Sequence, residues 1–328
     1  MRPSLHGEED LDGGPTRPVR FPRRRVGTCP QDMTMTLLAD YGLRAPVWLP
    51  SAAIVALLGD FDVTSASARA AISRLARRGV LESARRGRRT SYRLTPFAAA
   101  GLAEGGAEIA GFTRQAEDWD GTWTIVAFSV PRSGDSRRRT LRGRLRWLGY
   151  APLYDALWVS PHRLPAETSA ALADIDVGTV TVFRARRAGS VGAVDRDPLQ
   201  AWDLEGTAER YWSFLSRWVP LLPQVAEGRL TGPAALRART EMIESYRQFV
   251  PLDPRVPLGL MPAGWPRARA REVLVAVYDG LARPAREHVS TTVARFTGGV
   301  PPRVLNHTVD DLLARVTPEP AGPGSAGP

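Results

Sequence analysis

Arginine is the side chain through which this sequence can do most of its chemistry. The 328-residue chain carries 44 basic side chains, all of them arginine, against 34 acidic ones, for a formal net charge of +10. Lysine is absent. That excludes a phosphate-loop lysine, a Schiff-base lysine for a pyridoxal cofactor and a lysine general base. Codon usage in a G- and C-rich genome would account for the missing lysine, but not for where the arginines stand. The other reactive side chains are sparse. His6, His162, His288 and His307 are scattered without the spacing of a zinc site, so neither a metal nor a cofactor is expected. The single cysteine, Cys29, allows no internal disulfide and fits a reducing cytoplasm.

The arginines are concentrated. Between Thr36 and Thr95 ten arginines stand against four acids, which holds more than half of the chain's net charge in less than a fifth of its length. Within that stretch no acid occurs from Thr64 to Leu81. At about 100° per residue, Ala68, Ala71, Ile72 and Leu75 form one apolar stripe of a helix. Ala66, Arg69, Ala70, Ser73, Arg74 and Arg77 fall on the opposite stripe, with Ser67 in the first turn. A face of arginine, serine and small residues suits a helix lying in a ~12 Å major groove. There arginine reads guanine edges or clamps phosphates. An ordinary solvated face would mix glutamate with arginine. The next cluster, Arg85, Arg86, Arg88 and Arg89, surrounds Gly87 between two strand-like segments that include Tyr92, so it would occupy a hairpin tip.

The elements needed to hold these residues can be read from the pattern. Helices are expected over Met33–Tyr41, over Ser51–Gly59 with Ser51 as cap, and from a Thr64 cap to Gly79. Two short strands and a helix over about 97–112 follow. This is the order of a winged helix-turn-helix. Further on, TWTIVAFSVP reads as a strand and GDSRRRTLRGRLRWLGY as a helix. APLYDALWVSP then reads as one or two strands, LPAETSAALADI as a short helix and GTVTVFRAR as a last strand. That order is ferredoxin-like. Helices over Gly206–Ala226, Pro233–Phe249 and Ala268–Ala282 come next, interrupted by the Pro-rich run FVPLDPRVPLGLMPAGWP. A connector of this length in a helical domain is often functional.

The expected fold class is therefore an α+β multidomain protein. It would have an N-terminal winged helix-turn-helix (33–115), a central ferredoxin-like α/β domain (116–192) and a mainly α-helical C-terminal domain (193–315). A disordered arm (1–32) and tail (316–328) would flank them. No run approaches the ~18–20 apolar residues of a membrane span, and the N-terminus lacks a secretory signal.

Three segments, in order, carry a resemblance to a known family. They are SASARAAISRLARRGVLESARRGRRTSYRLT, then WDGTWTIVAFSVP with RRTLRGRLRWLGYAPLYDALWVSP, then YRQFVPLDPRVPLGLMPAGWPRARA. Over about 36–300 the chain resembles the PaaX family of bacterial transcriptional repressors, the phenylacetate-pathway type. The resemblance implies a cytoplasmic, homodimeric repressor, nucleoid-associated through its DNA. Its partners would be an inverted-repeat double-stranded operator and an acyl-CoA thioester that releases it. It implies an effector site in the middle or C-terminal region, for which Arg247, Trp265 and Arg267 offer phosphate- and aryl-binding chemistry.

The middle segment is also similar to the small nucleases of CRISPR adaptation, which place a metal-holding aspartate at the end of the first strand. Here that position holds Ser129, so metal-dependent cleavage, the enzyme alternative, is disfavoured. A third reading is an architectural binder driven by charge alone. It has little need of the long C-terminal block, where 18 arginines face 14 acids between Arg186 and Arg315.

Overall fold

The computed structural model describes residues 29–45, 47–111, 119–129, 135–164, 179–189, 196–253 and 255–315. The expected tail, most of the expected arm and all but the first residue of the short helix expected over 164–175 lie outside them. The chain folds as two compact units, one of residues up to 102 together with Thr292–Val304, the other of Ala103–Thr291 with residues from Leu305.

The first unit opens with three helices, α1 (Pro30–Gly42), α2 (Ser51–Gly59) and α3 (Ser65–Arg77). Helix α1 starts three residues before the expected Met33. Proline is pre-set for the first turn of a helix, and Gln31 and Asp32, expected in the arm, are buried there. Pro50, not Ser51, occupies the cap position of α2. Leu37, Leu38, Tyr41, Ile54, Leu57, Leu58, Ala68, Ala71, Ile72 and Leu75 are buried, so the apolar stripe of α3 faces inward. Strands β1 (Leu49–Pro50), β2 (Leu81–Arg86) and β3 (Arg89–Leu94) form a sheet in the order β1-β3-β2. The two-residue β1 was not expected from the sequence. It is an edge strand, where proline is tolerated.

Helix α4 (Pro96–Gly111) follows. In the second unit, β4 (Trp123–Ser129), β5 (Ala151–Tyr154), β6 (Leu157–Ser160) and β7 (Thr179–Ala185) form an antiparallel sheet in the order β5-β6-β4-β7. Helix α5 (Asp135–Trp147) lays Leu141 and Leu145 against Val126, Phe128, Tyr150 and Trp158 of this sheet region. The region from 204 on is helical. It comprises α6 (Leu204–Trp218), α7 (Leu222–Ala226), α8 (Gly232–Tyr246), α9 (Arg267–Gly280), α10 (Ala282–Phe296) and α11 (Val309–Leu313). The single helix expected over 206–226 is two, because Pro220 falls in the 3-10 turn Val219–Leu221 between them.

The Pro-rich connector is organised by one carboxylate. Asp253 accepts from Arg267 Nε at 2.8 Å and Nη2 at 2.6 Å, from Tyr211 Oη at 2.7 Å and from the Arg255 backbone N–H at 2.7 Å. Arg267 also donates Nη1 to the Val256 carbonyl at 2.9 Å. Both ionic side chains are sealed, at 2% and 0% exposure. Burial and the adjacent Asp253 carboxylate push the Tyr211 hydroxyl up, so it stays a donor.

Candidate nucleic-acid interface

Helix α3 is fixed at both ends by residues that keep its register. Thr64 accepts from the Ser67 backbone N–H at 3.3 Å, an N-cap, and donates its hydroxyl to Ser67 at 3.0 Å. At the other end Gly79 takes φ +73°. Gly79 N donates to Ala76 O at 3.0 Å and Val80 N to Leu75 O at 3.0 Å. That double bond pattern is a Schellman closure, which requires the left-handed conformation glycine supplies. With the apolar stripe buried, Arg69, Ser73, Arg74 and Arg77 are exposed, while Ser67 and Ala70 are half-buried.

The β2–β3 hairpin turns through Gly87 and Arg88, with Gly87 at φ +59° and Arg86 paired with Arg89. Glycine first in a two-residue loop is the signature of a type II′ turn. Arg85, Arg86, Arg88 and Arg89 are all exposed, and Arg85 Nε folds over the turn to the Gly87 carbonyl at 3.2 Å. The hairpin's one acid, Glu82, is neutralised at 2.6 Å by Arg93, which also stacks on Trp48 at 4.4 Å. The tip arginines therefore keep their charge for the solvent side.

Two neighbouring clefts join these elements. One, of about 450 Å3, is lined by Arg69, Arg88, Arg89 and the half-buried Tyr92, with Ser51, Thr90, Arg295 and Phe296. The other, of about 770 Å3, runs from Trp48, Arg86, Arg88, Arg89 and Ser91 to the segment Phe296–Val300 and Pro302. The Arg89 guanidinium lies where a side chain at Gly298 would stand. Arg69, Arg88, Arg89 and Tyr92 are thus gathered in one place. Arg74, Arg77 and Arg85 line neither cleft, and Arg86 lines only the larger. The sequence reading missed Arg295 and the 296–302 segment, because some 200 residues separate them from the hairpin and no local pattern marks them.

The residues singled out for an effector lie in the second unit. Arg247 is ion-paired with Glu244. Arg267 is committed inward to Asp253 and Val256. Trp265 packs edge-on to Tyr211 with 6.1 Å between ring centroids, and its buried Nε1–H donates to no described residue.

Comparison with known proteins gives the family. Three family models match in chain order. They are described as PaaX-like protein over 30–97, PaaX protein central Cas2-like domain over 116–196 and PaaX-like protein C-terminal domain over 202–291. The chain belongs to the PaaX family. Among relatives of this family, the transcriptional repressor PaaX of Escherichia coli (strain K12) is 28% identical over 300 residues. That alignment spans 86% of this chain and 90% of the relative. A solved structure, the uncharacterized protein Rv0674 from Mycobacterium tuberculosis, aligns at a TM-score of 0.52 and 21% identity. It covers 78% of this chain and 96% of that one, and at this identity the likeness speaks for the fold. The PaaX-like model ends at 97, so it takes in both α3 and the β2–β3 hairpin. Among the described residues, no helix is long and apolar enough to cross a membrane, and no three His, Cys, Asp or Glu side chains gather as a metal ion would need.

Proposed function

We propose that this PaaX-family chain is a DNA-binding transcriptional repressor that is not an enzyme. Residues 33–115 would act as a winged helix-turn-helix, with α3 as recognition helix and the β2–β3 hairpin as wing. Residues 116–192 would be a ferredoxin-like domain, which the antiparallel order β5-β6-β4-β7 supports, and 193–315 an effector and dimerisation domain. One observation carries the reading. The outward face of α3 and the hairpin tip offer Arg69, Arg74, Arg77, Arg85, Arg86, Arg88 and Arg89 to solvent without an acid among them. A helix of 10–12 Å diameter fits the ~12 Å major groove, where arginine takes guanine O6 and N7. The hairpin arginines would follow the flanking backbone, each phosphate neutralised steepening the salt dependence. The Escherichia coli relative named as a transcriptional repressor supports the same conclusion.

A homodimer would place two such helices on an inverted repeat with half-sites ~10 bp, or a multiple, apart. An acyl-CoA thioester is the proposed effector class, with Arg247 and Trp265 as its proposed contacts and phenylacetyl-CoA one candidate; Arg267, buried on Asp253 and Val256, would hold the connector rather than touch the ligand. The unpartnered Trp265 Nε1–H supports a polar ligand near that ring. The nuclease alternative is not carried forward. Ser129, at the end of β4, offers a metal only a neutral hydroxyl, and no comparison supports cleavage.

The test is a mobility shift on the promoter region beside the protein's own gene, against an excess of unrelated DNA. A shift that survives the competitor, and is reversed by an acyl-CoA from a panel of thioesters, is the expected result. Equal loss to any DNA would leave only a charge-driven architectural binder.

A further inference from the structure

We propose that Arg295, at the last turn of α10, is a DNA-phosphate contact. It would extend the interface beyond the N-terminal domain that the sequence marked for DNA. The inference rests on the repressor reading above. Its ground is the smaller cleft, where Arg295 joins Arg69 from α3 and Arg88 and Arg89 from the hairpin. Among the described residues no carboxylate lines that cleft. None of the four guanidinium groups is ion-paired with a described residue.

Four like charges gathered without a counter-charge repel one another, and an anion laid among them removes that cost. The chemistry of the lining narrows the anion. Ser51, Thr90 and Tyr92 add hydroxyl groups, and hydroxyls with arginine are the usual partners of phosphate oxygens. The cleft takes in Arg69 of α3, and Arg69, Arg88, Arg89 and Arg295 are all exposed. It is therefore open along one side rather than enclosing a small molecule. A continuous series of phosphates, the duplex backbone, satisfies both the openness and the run of charge from α3 to α10. A backbone contact of this kind sets register and adds affinity without reading sequence.

Arg303 supplies the control. It stands in the same Thr292–Val304 segment, is exposed and lines neither cleft, so replacing it removes the same net charge. The experiment is fluorescence anisotropy with the full chain, on a labelled promoter duplex and on an unrelated duplex of equal length, across a salt series. Arg295→Gln is expected to weaken both duplexes roughly 3–10-fold and to lower the slope of log K against log salt by about one. Arg303→Gln is expected to leave the slope at the wild-type value. Thermal melting of each variant shows that the fold is intact. If wild-type binds and Arg295→Gln binds like it, or if Arg303→Gln matches Arg295→Gln, the Arg295 contact is wrong and the repressor reading stands. If the wild-type chain binds neither duplex, the repressor reading fails and takes this contact with it.

Discussion

Replacing Arg267 by methionine tests whether the Pro-rich connector is held by the ion pair at its centre. The substitution keeps a similar apolar stem and removes the guanidinium. Three hydrogen bonds disappear, two to Asp253 and one to the Val256 carbonyl. The larger effect is on what remains. Asp253, with a fully buried side chain, keeps only Tyr211 Oη and the Arg255 N–H as donors, and its charge has no cation in contact. Leaving one member of a buried pair uncompensated costs about 3–5 kcal/mol. For a unit of this size each kcal/mol shifts Tm by roughly 2–4 °C, so the second unit should melt ~6–20 °C lower. Calorimetry on wild-type, Arg267→Met, Asp253→Asn and the double variant gives the pairwise coupling, expected at about 0.5–3 kcal/mol. A Tm within ~2 °C of wild-type for Arg267→Met refutes the structural role. If that unchanged Tm came with lost acyl-CoA binding, Arg267 would be a ligand contact, and the connector would owe its order to something else.

Two further outcomes follow from the same reasoning. Thr64→Ala removes the N-cap of α3 and should cost about 1 kcal/mol, read as a lower Tm of the first unit and weaker operator binding. His162 has its pKa lowered by burial, reinforced by the charges of Arg255 and Arg267 and opposed by the Arg255 backbone hydrogen bond and by Asp253. The folded state thus holds fewer protons than the unfolded one below the ordinary value of 6.5. Stability should fall as pH drops from there through the folded pKa. His162→Gln should flatten that part of a Tm–pH profile, and an unchanged slope would remove His162 as the cause.

The parts of the fold legible in the sequence were those set by local patterns. The α3 stripe, its Thr64 cap and Gly79 stop, and the glycine-centred hairpin each depend on residues a few positions apart. They emerged where the pattern placed them. Boundaries drifted where proline acts, at Pro30 and Pro220. What the sequence hid is long-range. Nothing near Asp253 announces that Arg267 and Tyr211 will close on it, and arginine in a Pro-rich run reads equally as an effector contact. Arg295 and the 296–302 segment join the hairpin only through tertiary packing. The basic face of α3 was legible because burial of its apolar stripe leaves a helix one other face to show.

The central claim, that α3 reads DNA, is tested most directly by measuring operator and unrelated-duplex affinity for Arg69→Ala combined with Arg74→Ala. Each arginine reading a base edge is worth about 1–3 kcal/mol. Operator affinity should therefore fall at least about thirty-fold, with a much smaller loss on unrelated DNA and no change in Tm. Specific binding that survives the double substitution unchanged would contradict the assignment of α3.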